Sequence, residues 1–232
     1  MKLKKHKVLI IGLCAFLCFI INGCQDLNSN STLGYLEVKK LREDNNGSIV
    51  EYTERAKVPS FNLLNQDNQH VSNTDLLGYN YIVNFFFTSC PTICPTTTLN
   101  LKELQNQINQ DNKIEDFKII SISVDPNNDT PKVLRKYASS MDINVPNWEF
   151  LTGSQDEIYH IVQSGFSLAV GQDSLAPGGV FHSSMITIVD DQGYIRTGLD
   201  KKKNKKFVYD GTLLAEVKLL MDEIQILSNK GY

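Results

Sequence analysis

Apolar and polar positions fall into blocks along this chain, and the blocks switch period in a regular order. Tyr81 to Thr88, Tyr-Ile-Val-Asn-Phe-Phe-Phe-Thr, is a run of β-formers long enough for a buried strand. Pro95 suits the first position of a helix, where its missing N–H would have lacked a partner anyway, and Leu101, Leu104 and Ile108 then recur at helical spacing. Phe117 to Val124 reads as a second buried strand, and Thr130-Pro131 opens a helix bearing Val133, Leu134 and Tyr137. Trp148 to Leu151 is a third strand. Ser154-Gln155-Asp156-Glu157 then fits a capping box opening a helix through about Ser164. Strands alternating with helices predict a partly parallel sheet covered by helices.

The flanks complete the picture. Phe61 to Leu64, the turn Asn65 to Gln69 and His70-Val71 read as a small hairpin. Met185 to Val189 and Tyr194 to Arg196 flank Asp190-Asp191-Gln192-Gly193, a second hairpin pattern. A last helix runs from about Thr212 to Leu227, with Leu213, Leu214, Val217, Leu220, Ile224 and Leu227 on its apolar side. Hairpin, βαβ, helix, hairpin, helix is a thioredoxin-like order. The expected fold is α/β and thioredoxin-like, a central mixed sheet flanked by helices with an N-terminal hairpin extension. Between Leu168 and Phe181 lies a long loop containing Gly171, Pro177, Gly178 and Gly179, and long loops in compact domains tend to be functional.

The N-terminus has a different texture. Lys2, Lys4, Lys5 and Lys7 precede an apolar run from Val8 to Ile21, a charged n-region followed by an h-region. The run is about 14 residues, short of the roughly 20 that a helix needs to span a bilayer. Ile21-Asn22-Gly23-Cys24 resembles a bacterial lipobox, in which cleavage before Cys24 is followed by lipid modification of that cysteine. An uncleaved anchor is the other reading, and both place the domain outside the cytoplasm. Gln25 to about Glu54 is rich in Asn, Ser, Asp and Lys and reads mostly as a tether, ending in a short strand near Ser48 to Tyr52. The expected division is a signal peptide over 1–23, a lipidated Cys24 with a polar tether over 24–56, and a thioredoxin-like domain over 57–232.

Composition narrows the function classes. With 232 residues, 41% of them hydrophobic and 21% charged, the chain is long and apolar enough for one packed domain. Twenty-three Lys plus Arg against 26 Asp plus Glu leave a net charge of −3, which offers no general field for nucleic acid. Removal of the signal would take four lysines and no acid, making the mature domain modestly acidic. Cys14 and Cys18 lie in the signal and Cys24 would carry lipid, so Cys90 and Cys94 are the thiols left for the domain.

Those two thiols stand four positions apart in Thr88-Ser89-Cys90-Pro91-Thr92-Ile93-Cys94-Pro95, at a strand-to-helix junction. A helix N-terminus stabilises thiolate, so the pair can be reactive or metal-binding. Two soft thiolates suit Cu(I), though zinc also accepts them, and a structural disulfide is the bland alternative. His182 precedes the strand Met185 to Val189. In a thioredoxin-like order that junction folds back beside the first strand-to-helix turn, giving a Cys, Cys, His site; by itself a loop histidine is usually solvated. His160 reads as packing or surface, His70 as a turn residue and Met185 as core. Lys201, Lys202, Lys203, Lys205 and Lys206 form a compact basic run that reads first as a solvated loop, with an acidic partner or anionic lipid as the other options.

From about Val58 to Leu227 the sequence resembles the Sco, or SenC, family of cytochrome c oxidase assembly proteins. Thr88 to Pro95 is similar to the family's CxxxCP site, Ser123-Val124-Asp125-Pro126-Asn127-Asn128-Asp129-Thr130-Pro131 to its DxxxDTP segment, and His182-Ser183-Ser184, before a strand and an Asp-x-x-Gly-type turn, to its downstream histidine. The resemblance implies that Cys90, Cys94 and His182 bind copper, the thiolates sufficing for Cu(I) and the imidazole mattering most for Cu(II). Asp125 and Asp129 match family positions as possible accessory residues, although Asp129 can equally start the next helix with Thr130. Where the family often carries an acidic residue directly before its histidine, this chain has Phe181.

The function expected from this resemblance is that of a membrane-tethered, extracytoplasmic copper chaperone in the cell envelope. Its partners would be oxidase subunit II or a similar copper client, a thiol reductant protein and, through the lipid anchor, the membrane. An enzyme is the alternative: a thiol-disulfide reductase that uses Cys90 and Cys94 as its catalytic pair and has little need of His182. A peroxidase is a remoter option.

Overall fold

The computed structural model describes residues 33–229 apart from 115, 144–146 and 201, so Cys24 and the signal-like segment lie outside the described residues. The strands are β1 (Gly34–Tyr35), β2 (Glu37–Glu43), β3 (Ile49–Arg55), β4 (Asn62–Asn65), β5 (His70–Ser72), β6 (Asn80–Phe86), β7 (Phe117–Ser123), β8 (Trp148–Thr152), β9 (Gly171–Gln172), β10 (Val180–Phe181), β11 (Met185–Val189), β12 (Arg196–Leu199), β13 (Lys205–Lys206) and β14 (Tyr209–Asp210). The helices are α1 (Ile93–Gln110), α2 (Pro131–Ser140), α3 (Gln155–His160) and α4 (Leu214–Ser228), with a π-helical turn over Ile161–Gly165.

Seven strands form one mixed sheet in the order β14-β11-β6-β7-β8-β4-β5. The predicted βαβ run makes its parallel centre, β6, β7 and β8, with β11 and β4 antiparallel on either side. Tyr81, Ile82, Val83, Phe85 and Phe86 are all buried because both faces of β6 are covered. Successive side chains point to opposite faces. Phe86 accordingly packs on Tyr137 of α2, while Phe85 meets Phe166, which follows the π-helical turn. A polar thread pins the centre in register: the Trp148 indole N–H donates to Ser121 Oγ at 2.8 Å, and that hydroxyl donates to Asn84 Oδ1 at 2.6 Å. A one-residue slip would turn these groups to the other face and leave them unpaired.

Helix ends follow local chemistry. Thr130 caps α2, accepting from the Val133 N–H at 3.4 Å, with Pro131 at the first helical position. Half of the expected capping box forms at α3, where Ser154 Oγ accepts from the Glu157 N–H. The Glu157 carboxylate instead accepts from the Asn62 N–H at 2.8 Å and ties α3 to β4. α1 begins at Ile93, two residues before Pro95, and so takes Cys94 into its first turn.

The segment read as a tether up to about Glu54 is folded from Leu33 onward. β1 pairs with β12, and β2 and β3 form a hairpin stitched at its base by bonds from Leu36 N–H to Ile195 O and from Ala56 N–H to Leu36 O. Arg196 anchors the entry: buried, it donates to Asp190 at 2.9 Å and to the carbonyls of Gly34 and Leu33. The Tyr35 ring lies 4.0 Å from its guanidinium and 3.9 Å from that of Arg55. β3 meets the short strand expected near Ser48 to Tyr52, whereas β2 escapes a pattern reading because Val38 alone among its residues is half-buried.

Candidate metal centre

The C-terminal end of β6 is where the chemistry gathers. The chain leaves β6 at Phe86 and turns so that the Cys90 N–H donates to Phe87 O at 3.2 Å. It enters α1 with Cys94 in the first turn, where backbone N–H groups without an intrahelical partner create a positive field. Both cysteines are free thiols, 7% and 3% exposed. β11 lies antiparallel beside β6, so the residues just before β11 return to the same end of the sheet, and His182 is among them. Cys90 Sγ, Cys94 Sγ and an imidazole nitrogen all fall within 4.8 Å of one another, with Cys94 Sγ 3.5 Å from His182 Nε2.

The imidazole is oriented by its surroundings. Nδ1 sits 3.0 Å from Ser183 O and must carry the proton to donate there, which leaves the Nε2 lone pair facing the thiols. Phe87 meets the ring edge-on at a centroid distance of 5.3 Å. Phe87 is in turn covered by Gly178, whose φ is +80° and whose position leaves no room for a Cβ: that atom would come within 2.6 Å of Phe87 Cε2. The glycine-rich loop, which contains the short β9–β10 hairpin, thus closes over the ring that steadies His182.

Burial and hydrogen bonding split the two thiols. Burial opposes ionisation of Cys90, but hydrogen bonds from Cys94, and from Thr92 by backbone and side chain, together outweigh it and hold the thiol below its ordinary range. Cys94 is pushed far up, first by burial and then by its hydrogen bond to Cys90. Burial lowers the His182 value, partly offset by backbone carbonyls of Ser183 and Phe85, and so favours the neutral ring, the form that can ligate a metal. Tyr137, bonded to Thr98 Oγ1 at 2.8 Å, is raised to about 12 by burial, opposed by that bond and reinforced by the charges of the two cysteines.

Asp125 and Asp129 part company. Asp129 is not the cap of α2; that is Thr130. Its buried carboxylate accepts from the Thr88 N–H at 2.9 Å, the Thr88 hydroxyl at 2.5 Å and the Ser123 hydroxyl at 2.6 Å. It therefore ties the end of β7 to the turn that presents Cys90. Asp125 accepts from Asn128 Nδ2 at 2.8 Å and braces its own loop. Neither belongs to the group that could hold a metal, and neither His70, bonded to Asn62, nor His160, bonded to Ser164, joins it. Phe181 points into solvent, 51% exposed, and Met185 pairs across to Asp210 in the sheet. Thr88 and Ser123 lie in the two motifs and Gly178 in the long loop, but their contacts, and the role of Phe87, are not legible in the sequence; the Cys-rich motif and the DxxxDTP-like motif meet through Thr88 and Asp129 only in three dimensions.

A thioredoxin-like sheet with two free thiols at a helix start and a histidine across from them defines a thiol- and metal-handling class. The chain belongs to the SCO1/SenC family, whose model matches residues 50–213. Its solved relatives include a SCO1/SenC family lipoprotein from Bacillus anthracis str. Ames, 25% identical with a TM-score of 0.66 over 75% of this chain and 96% of that one. BsSco, described with a disulfide switch and as a member of the Sco family of cytochrome c oxidase assembly proteins, is 32% identical with a TM-score of 0.64 over 76% and 95%. Bradyrhizobium japonicum ScoI with copper bound is 26% identical with a TM-score of 0.55 over 71% and 99%.

Proposed function

We propose that this chain is a copper chaperone for the assembly of cytochrome c oxidase, held outside the cytoplasm by lipid on Cys24. The observation that carries the reading is the convergence of Cys90, Cys94 and His182 on one point. Two thiolates and a neutral imidazole are a soft donor set that suits Cu(I) and, with the nitrogen, accepts Cu(II). Copper is cargo, handed to oxidase subunit II or a similar client by exchanging one ligand at a time. Oxidation of the two thiols to a disulfide, releasing two electrons and two protons to an oxidant, removes both sulfur donors, and a thiol reductant protein returns two electrons and two protons to restore the thiols before copper binds again. The lipoprotein and copper-bound relatives support the anchor and the cargo, and Asp129 serves as a positioning residue behind Cys90.

The same site supports a second reading, favoured by the unequal thiols: Cys90 attacks a disulfide of an exported client, releasing one client thiolate, and Cys94 then resolves the mixed disulfide. Copper titration of the reduced protein with Cys90→Ser, Cys94→Ser and His182→Ala variants separates the two. One copper per chain, lost with either cysteine and spectrally altered as Cu(II) by His182→Ala, is the chaperone result. No stoichiometric copper with a readily cycling disulfide is the reductase result.

A further inference from the structure

The basic run is the one feature singled out in the sequence that the metal centre leaves unused. β12 and β13 form a hairpin whose turn carries Lys202 and Lys203, with Lys205 opposite Leu199. Asp200 builds the turn: its carboxylate accepts from the backbone N–H groups of Lys202 and Asn204, both at 2.8 Å, and from the Asn204 side chain at 3.0 Å. Lys206 is committed to Glu216. Lys202, Lys203 and Lys205 are exposed, and among the described residues no carboxylate forms an ion pair with them. Leu199, beside them, is 58% exposed.

Register gives this turn a neighbour. β1 runs antiparallel to β12, with Tyr35 opposite Arg196 and Gly34 opposite Thr197. From Tyr35 back to Leu33, the first described residue, the chain therefore runs antiparallel to β12 in the direction of its lysine-bearing end. Arg196 fixes that path by holding the carbonyls of Leu33 and Gly34. The first described strand thus begins toward the same end of β12 as three exposed lysines and an exposed leucine.

We infer that the turn from Leu199 to Lys205 is a foot that rests on anionic lipid headgroups beside the point where the tether joins the domain. The inference rests on the reading that the tether is membrane-anchored at Cys24. Charge complementarity and proximity favour lipid: a tether that ends in the bilayer keeps the turn near headgroups, where a short-range screened attraction operates. Each lysine near such a surface strengthens contact about fivefold.

The test uses the full lipid-bearing chain in vesicles of phosphatidylcholine alone or with about 30% phosphatidylglycerol. Acetylation rates of Lys202, Lys203 and Lys205 are compared by mass spectrometry with those of exposed Lys132 and Lys136 on α2. Severalfold slowing of the three turn lysines alone, only with phosphatidylglycerol and reversed by high salt, is the expected result. Equal rates in both vesicles overturn it, as does slowing seen only in protein-containing native membranes, which would assign the turn to an acidic protein. Flotation of the chain with the neutral vesicles reports the anchor separately; a chain that fails to float sinks the tether reading, while the lysine rates in charged vesicles still judge the turn.

Discussion

Asp129 accepts three hydrogen bonds, two of them from Thr88, which stands two residues before Cys90. The carboxylate is 1% exposed, so the turn that carries the first thiol is bolted to the end of the neighbouring strand. The aspartate acts on the metal centre through the backbone.

Asp129→Ala leaves the Thr88 N–H and two hydroxyls without their acceptor in a buried setting. A loss of at least about 3 kcal/mol in unfolding free energy is expected, from roughly 1–3 kcal/mol for each of the three stranded groups. Urea denaturation measures it. Copper affinity of the folded variant should fall with stoichiometry unchanged, whereas loss of one equivalent of metal would make Asp129 a ligand.

Gly178→Ala meets both a positive φ and the Phe87 ring, and should cost about 1–3 kcal/mol. Because Phe87 steadies His182, the Cu(II) spectrum should shift while Cu(I) binding through the thiolates holds. An unchanged Cu(II) spectrum would disconnect Phe87 from the imidazole.

Glu223 lies under Gly198, 6% exposed, and accepts from the Tyr209 hydroxyl at 2.6 and 2.7 Å. Burial raises it to about 7, opposed by the Tyr209 hydrogen bond and Lys206. A carboxyl raised on folding binds more protons in the native state, so stability is full below about pH 4.5 and declines as pH rises toward and through 7. The loss contributed by this group is about 3 kcal/mol. Glu223→Gln should flatten that part of the pH profile of urea midpoints; a profile that keeps its slope would place the titration elsewhere.

Under limiting alkylation of the reduced protein, Cys90 should modify first and Cys94 should resist near neutral pH, since hydrogen bonds favour the Cys90 thiolate and burial disfavours that of Cys94. Peptide mass spectrometry reads the order directly. Preferential labelling of Cys94 would reverse the assigned attacker.

Arg196→Met strands Asp190 in a buried site and releases the Leu33 and Gly34 carbonyls. A cost of about 3–5 kcal/mol is expected, as for breaking a buried ion pair from one side. Hydrogen exchange should then quicken around β1 before the sheet centre.

The central strands and α1 to α4 were legible because burial on two faces or along one stripe writes itself into Tyr81 to Thr88, Phe117 to Val124 and the spacing of Leu101, Leu104 and Ile108. The thiol pair was legible because an otherwise Cys-free domain makes Cys90 and Cys94 conspicuous, and His182 needed the strand order to bring it there. What stayed hidden was relational. A strand near Ser48 to Tyr52 was legible, but its partner β2 offers only Val38 and so does not announce the hairpin, and Arg196 reads as one more basic residue until Asp190 and the Leu33 and Gly34 carbonyls surround it. Asp129 looks like a helix-starting residue until Thr88, 41 positions away, folds against it.

The pairing of Ile186 with Asn84 and of Val189 with Tyr81 sets where β11 begins relative to β6. A further clamp follows: the Gly211 N–H donates to Ser184 O at 3.0 Å, and the Ser184 hydroxyl to Asp210 at 2.8 Å. The address of His182 is thereby written in strand register rather than in the length of the loop that precedes it. A change of length confined to Asp173 to Ala176 would therefore leave the imidazole where the strands put it, opposite the two thiols.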